Sequence, residues 1–137
     1  LIFVDDYAHH PQELKALISG ARALFPDKKC TVIFQPHLFS RTKDLSKEFA
    51  ESLDEADEVV LLPIYPAREL PMEGVSSKLI SDQMKSGHVW LLEKDGLMDF
   101  LAEKLKTDQE HKLLITAGAG DIDAMVQPIK QLIERHG

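Results

Sequence analysis

Much of what would make this chain a membrane protein, a secreted scaffold or a nucleic-acid binder is missing. It has one cysteine in 137 residues, so no internal disulfide can form. Cys30 is expected as a small buried hydrophobe at the start of a strand, in a protein of the reducing cytoplasm. No apolar run approaches the roughly 20 residues of a membrane span, and nothing resembles a secretory signal. Positive charge is in deficit, with 16 Lys and Arg against 23 Asp and Glu and a net charge of −7. A general binder of nucleic acid or anionic membrane needs a concentrated basic face, which this balance argues against. There is no Gly-Lys dipeptide and therefore no phosphate-binding P-loop. If ATP is used, another domain must grip its triphosphate. Repeats, linkers and low-complexity stretches are absent too. Leu1-Ile2-Phe3-Val4 already reads as a strand, without a cap, a turn or an initiator methionine. The chain is expected to be a piece of a longer protein.

What is there is a one-domain length and an ordinary globular composition, 44% hydrophobic and 28% charged. Apolar runs at 1–4, 31–35, 58–62, 89–92 and 112–116 are nearly continuous, as strands buried on both faces should be. Amphipathic segments alternate with them, which predicts a three-layer, Rossmann-like α/β/α domain around a mainly parallel five-stranded sheet. Leu14, Leu17, Ile18, Ala21 and Phe25 mark one helix face, and Leu45, Phe49 and Leu53 a second. Ser76 is expected to cap a helix, with Val75 and Ile80 as its hydrophobic staple. Asp95 should cap a helix bearing Leu97, Leu101 and Leu105. Asp121 should cap the last, which turns Ile122, Met125, Val126, Ile129 and Ile133 inward. Pro128 inside that helix should kink it or delay its regular start. The aperiodic, proline-rich stretch 63–74 reads as a loop over the end of the third strand.

Two strand-to-helix junctions concentrate the chemistry. Asp5-Asp6-Tyr7-Ala8-His9-His10-Pro11 and Gln35-Pro36-His37-Leu38-Phe39-Ser40-Arg41-Thr42 bring together two carboxylates, three imidazoles, a tyrosine and a guanidinium. In an open α/β sheet, ligands bind outside the carboxyl ends of the strands, where these junctions fall. An acid pair after a first strand also occurs in phosphoacceptor receiver domains. That reading needs an aspartate ending the third strand and a lysine ending the fifth. Here those strands end Leu61-Leu62-Pro63 and Thr116-Ala117-Gly118, so it fails. One of the two aspartates is as readily explained by hydrogen bonds to turn amides. Adjacent His9 and His10 point in different directions, and no further ligand set asks for a metal. One of them should meet a ligand while the other packs or caps. The second junction leads into a helix capped by Ser40 or Thr42, whose amides attract anions. Arg41 in its first turn opposes the macrodipole, which marks it as a partner for carboxylate or phosphate. The glycine turn Ala117-Gly118-Ala119-Gly120-Asp121 is sterically ordinary by itself.

Taken in order, the motifs Asp5 to Pro11, Phe34-Gln35-Pro36-His37 through Arg41-Thr42-Lys43-Asp44-Leu45, and Ala117 to Ile122 resemble the C-terminal domain of the Mur ligases of peptidoglycan synthesis. The resemblance covers essentially the whole chain, and the second motif points to the branch that adds L-alanine to UDP-N-acetylmuramate. It implies a three-domain, ATP-dependent enzyme in which this piece supplies the amino-acid site and part of the nucleotide pocket. ATP and Mg2+ would be held mainly by the central domain, and the fragment alone would be inactive. It also implies a sheet order of 1-5-2-3-4, with an antiparallel edge strand lying upstream. By position, Asp6 resembles the residue that meets the ATP ribose, with His9 and His10 on the nucleotide side. Tyr7, with His9, lines the gap towards the amino acid. His37 and Arg41 resemble the groups that meet the alanine carboxylate. Leu38 departs from the family, which often has a basic residue there, so Arg41 and His37 carry more of that task. The competing expectation is a non-catalytic small-molecule binding module of doubly wound fold.

Overall fold

The computed structural model describes residues 1–136. Five strands, β1 (Ile2–Asp6), β2 (Lys29–Phe34), β3 (Glu58–Leu61), β4 (Val89–Leu91) and β5 (Lys112–Ala117), form one sheet in the order β1-β5-β2-β3-β4. This is the expected order, and every strand pairing among the described residues is parallel. Five α-helices connect or follow the strands: α1 (Pro11–Leu24), α2 (Phe39–Leu53), α3 (Lys78–Ser81), α4 (Lys94–Lys104) and α5 (Val126–His136).

The near-continuous apolar strands feed two cores at once, because successive side chains point to opposite faces. Val32, Phe34, Val59, Leu61, Leu113 and Ile115 pack with Leu14, Ile18, Phe49, Leu53 and Ile80 from α1, α2 and α3. The residues between them, Ile33, Val60 and Leu114, pack with Leu97, Leu101, Ile129 and Leu132 from α4 and α5. Hence the three layers. Cys30 is fully buried in the first core, and burial pushes its thiol up to about 11. It is an inert packing group at neutral pH.

Several local expectations are corrected. β1 runs on through Asp5 and Asp6, which pair with Thr116 and Ala117, because its partner β5 continues that far. α1 stops at Leu24, and Phe25 is its C-cap. Ser77 stands directly before α3 with helical φ and ψ and its hydroxyl on the buried Leu62 carbonyl at 2.5 Å, while the expected capping bond is made by Ser76, whose hydroxyl accepts the Lys78 amide at 3.2 Å. Glu93 stands at the N-cap of α4, with Asp95 in the first turn, where it still complements the macrodipole. Asp121 caps no α-helix: a 3-10 segment, Asp121–Met125, intervenes before α5. Pro128 thus sits in the first turn of a helix whose regular start is delayed. Neither Ser40 nor Thr42 caps α2. The N-cap is Leu38, and the Thr42 hydroxyl donates back to the Leu38 carbonyl at 2.8 Å.

Candidate functional site

The carboxyl ends of β1, β5, β2 and β3 bring four loops to one end of the sheet. In the first loop, Asp6 Oδ1 accepts the Ala8 amide at 2.9 Å. Asp5 accepts the Thr116 hydroxyl at 2.7 Å and so ties β1 to β5. Asp6 therefore does the turn-holding work while its carboxylate lies at the surface, and Tyr7 is 67% exposed. His9 donates from Nδ1 to the Tyr7 carbonyl at 2.8 Å, which leaves Nε2 as an acceptor in the neutral ring. His10 occupies the N-cap position of α1. Glu13 Oε1 accepts the amides of His9 and His10 at 3.3 and 3.1 Å. His9 faces His37 across the site, and His10 stands at the start of α1.

In the second loop, Arg41 Nη1 lies 3.1 Å from His37 Nδ1. The His37 ring meets His9 edge-on with centroids 6.0 Å apart, so the first two loops converge. On its other side it stacks on Tyr65, at 5.6 Å and 14°. Burial, then the charge of Arg41, then His9 push the His37 pKa below its ordinary value of 6.5, opposed by Glu69. His37 is thus neutral at pH 7.

Sequence reasoning assigned no role to Tyr65, in the loop after β3, and none to Gln35, directly after β2. Tyr65 forms the floor under His37, and a Cβ on Gly120 would come within 2.5 Å of the Tyr65 ring. Gly120 is therefore required for close approach, beyond the ordinary needs of a turn. Gln35, only 4% exposed, ties three loops together. Its amide donates to Asp121 Oδ1 at 2.6 Å and to the Pro63 carbonyl at 3.5 Å, and its Oε1 accepts the Ile122 amide at 2.8 Å. Asp121 also pairs with Lys94 at 2.5 Å. The signal for Tyr65 was an aromatic in a proline-rich loop at a strand's carboxyl end. For Gln35 it was a polar residue at the end of a buried strand. A cleft of about 450 Å³ opens beside them, lined by Gln35, Tyr65, Lys94 and Asp121. Among the described residues no cluster of three or more His, Cys, Asp or Glu side chains is placed to hold a metal ion. The residues present do not by themselves fit a protein-held magnesium.

The family model for the Mur ligase glutamate ligase domain matches residues 1–120. UDP-N-acetylmuramate–L-alanine ligase of Cytophaga hutchinsonii is 52% identical over 135 residues, covering 98% of this chain and 28% of that protein. The chain thus spans under a third of the length of such relatives. The crystal structure of the UDP-N-acetylmuramate–alanine ligase of Thermotoga maritima matches with a TM-score of 0.67 at 31% identity, over 98% of this chain and 26% of that one. A murein peptide ligase of Psychrobacter arcticus shares the fold, with a TM-score of 0.68 at 15% identity, over 96% of this chain and 27% of that one.

Proposed function

This chain belongs to the Mur ligase family, and from that premise we propose that it is the C-terminal domain of a ligase that joins L-alanine to UDP-N-acetylmuramate. In that reaction ATP phosphorylates the muramoyl carboxylate, giving an acyl phosphate and ADP. The alanine amine then attacks the acyl carbon, and amide forms as phosphate leaves. ATP and Mg2+ would be held mainly by the central domain, where the cation would supply charge to offset the phosphates.

The observation that carries this reading is the Arg41–His37 pair at the carboxyl end of β2, facing the Asp6–His9 loop. A planar guanidinium suits a small carboxylate. With Nδ1 engaged by Arg41, neutral His37 offers an Nε2–H donor and cannot act as a base there. It is a second hydrogen-bond donor for the amino-acid carboxylate. Asp6 meets the ATP ribose, His9 and His10 lie on the nucleotide side, and Tyr7 lines the gap between the two ligands. The chain's role is to bind and orient amino acid and nucleotide, not to transfer phosphate, because it has no P-loop.

The test is phosphate release by the full-length protein that contains this domain. It should require ATP, Mg2+, UDP-N-acetylmuramate and L-alanine together, and residues 1–137 alone should release none above a heat-killed control. Binding of L-alanine or ATP by the full-length protein without turnover would make the domain a binding module instead.

A further inference from the structure

The loop between β3 and α3 carries a carboxylate that the site described so far does not use. Glu69 Oε1 accepts the backbone N–H of Phe39 at 2.5 Å and of Ser40 at 3.2 Å, and Oε2 accepts the Ser40 hydroxyl. These are the first two amides of α2, a helix with no cap of its own. Leu38 at its N-cap has φ 72 and an apolar side chain, and a helix start needs an acceptor for its free amides. The same two segments are joined by backbone bonds, Leu38 N–H to the Tyr65 carbonyl and Tyr65 N–H to the Pro36 carbonyl, both at 2.8 Å. Glu69 thus closes a ring of contacts around His37 and the turn that bears Arg41. Hydrogen bonds from the Ser40 hydroxyl and from the Ser40 and Phe39 amides hold its carboxyl below the usual range, so it is ionised at neutral pH.

We propose that Glu69 is a positioning residue for L-alanine, capping α2 from the neighbouring loop and thereby fixing the backbone that aims the Arg41 guanidinium. The proposal rests on the reading of Arg41 as the carboxylate ligand. A fixed cap fits better than a movable plug that substrate would displace. Three donors converge on Glu69, two of them backbone amides, and the Tyr65 bonds hold its loop in place. An incoming carboxylate would have to replace all three. Arg41 forms no ion pair among the described residues, and part of its fork remains open. With its first two amides taken by Glu69, the α2 N-terminus leaves substrate recognition mainly to the side chains of Arg41 and His37.

The experiment measures KM for L-alanine and for ATP, with melting temperature, in the full-length ligase. Glu69→Ala should raise the L-alanine KM by at least about tenfold and leave the ATP KM within about twofold. Glu69→Gln, whose amide oxygen still accepts both N–H groups without the charge, should raise it by roughly three- to fivefold. An unchanged L-alanine KM in folded Glu69→Ala would make Glu69 a structural cap only, and a lowered KM would make it a plug. Either result overturns the proposal. Should Glu69→Ala fail to fold, Glu69→Gln decides by the same criteria. A wild-type enzyme that uses another amino acid would retire the L-alanine reading instead, and the same comparison with that amino acid then judges Glu69.

Discussion

Arg41 donates from Nη1 to Nδ1 of His37 across 3.1 Å, one helical turn apart in sequence. A guanidinium has no acceptor, so Nδ1 must hold a lone pair. His37 is thereby fixed as the neutral Nε2–H tautomer, in keeping with its depressed pKa. The contact also commits one corner of the Arg41 fork to orientation and leaves the rest for a ligand.

Arg41→Lys keeps the charge but loses the planar fork and the brace to His37, so it should not behave as a conservative change. The L-alanine KM of the full-length enzyme should rise by at least about tenfold, the equivalent of about 1.4 kcal/mol. ATP KM and melting temperature should change little. Weakened ATP binding with unaltered L-alanine kinetics would reassign Arg41 to phosphate.

Protonation of His37 should break the brace, because Nδ1 can then no longer accept. The folded-state pKa lies below the ordinary 6.5, so the folded arrangement resists protonation. Its contribution is whole above the unfolded pKa and is lost as pH falls through the depressed folded value. The L-alanine KM should be flat at neutral pH and above, and climb only as pH falls below the ordinary imidazole value. Imidazole nitrogen shifts by NMR should report the Nε2–H tautomer at neutral pH. An Nδ1–H form would contradict the brace.

Gly120→Ala places a methyl 2.5 Å from Tyr65 Cγ, 2.7 Å from its Cβ and 2.8 Å from Gln35 Oε1. Overpacking of this kind costs about 1–3 kcal/mol, readable in chemical denaturation. Because Tyr65 stacks under His37, the L-alanine KM should rise along with the loss of stability. A methyl at Gly87 would meet nothing within 4 Å, so Gly87→Ala is the control and should leave that KM unchanged.

Asp6 serves two ends, since Oδ1 holds the Ala8 amide at 2.9 Å while the exposed carboxylate faces outward. Asp6→Asn keeps an oxygen for that amide and removes the charge. It should raise the ATP KM roughly tenfold at unchanged melting temperature, whereas Asp6→Ala should disturb both. An unchanged ATP KM in folded Asp6→Asn would move the ribose contact elsewhere.

The amino-acid sequence by itself determined the layered sheet. Unbroken apolar runs such as Val32–Phe34 and Leu113–Ile115 can be satisfied only by burial on both faces, and the helix faces at Leu14–Ile18 and Leu97–Leu101 supply that cover. These are signals of period two and 3.6, carried by neighbouring residues. It also marked Asp6, His9, His37 and Arg41 as a group, because their loops fall at the same end of successive parallel strands. Only the tertiary structure decided what holds them. The cap of α2 is Glu69, 30 residues from Phe39, where local pattern favoured Ser40 or Thr42. The Ser40 hydroxyl is instead a donor to that distant carboxylate. Gln35 reaches Asp121 across 86 residues, and Tyr65 meets His37 only because β2 and β3 lie side by side. Helix and strand periods are set by the local backbone, whereas a hydrogen-bond partner is chosen by whichever group the fold brings within about 3 Å.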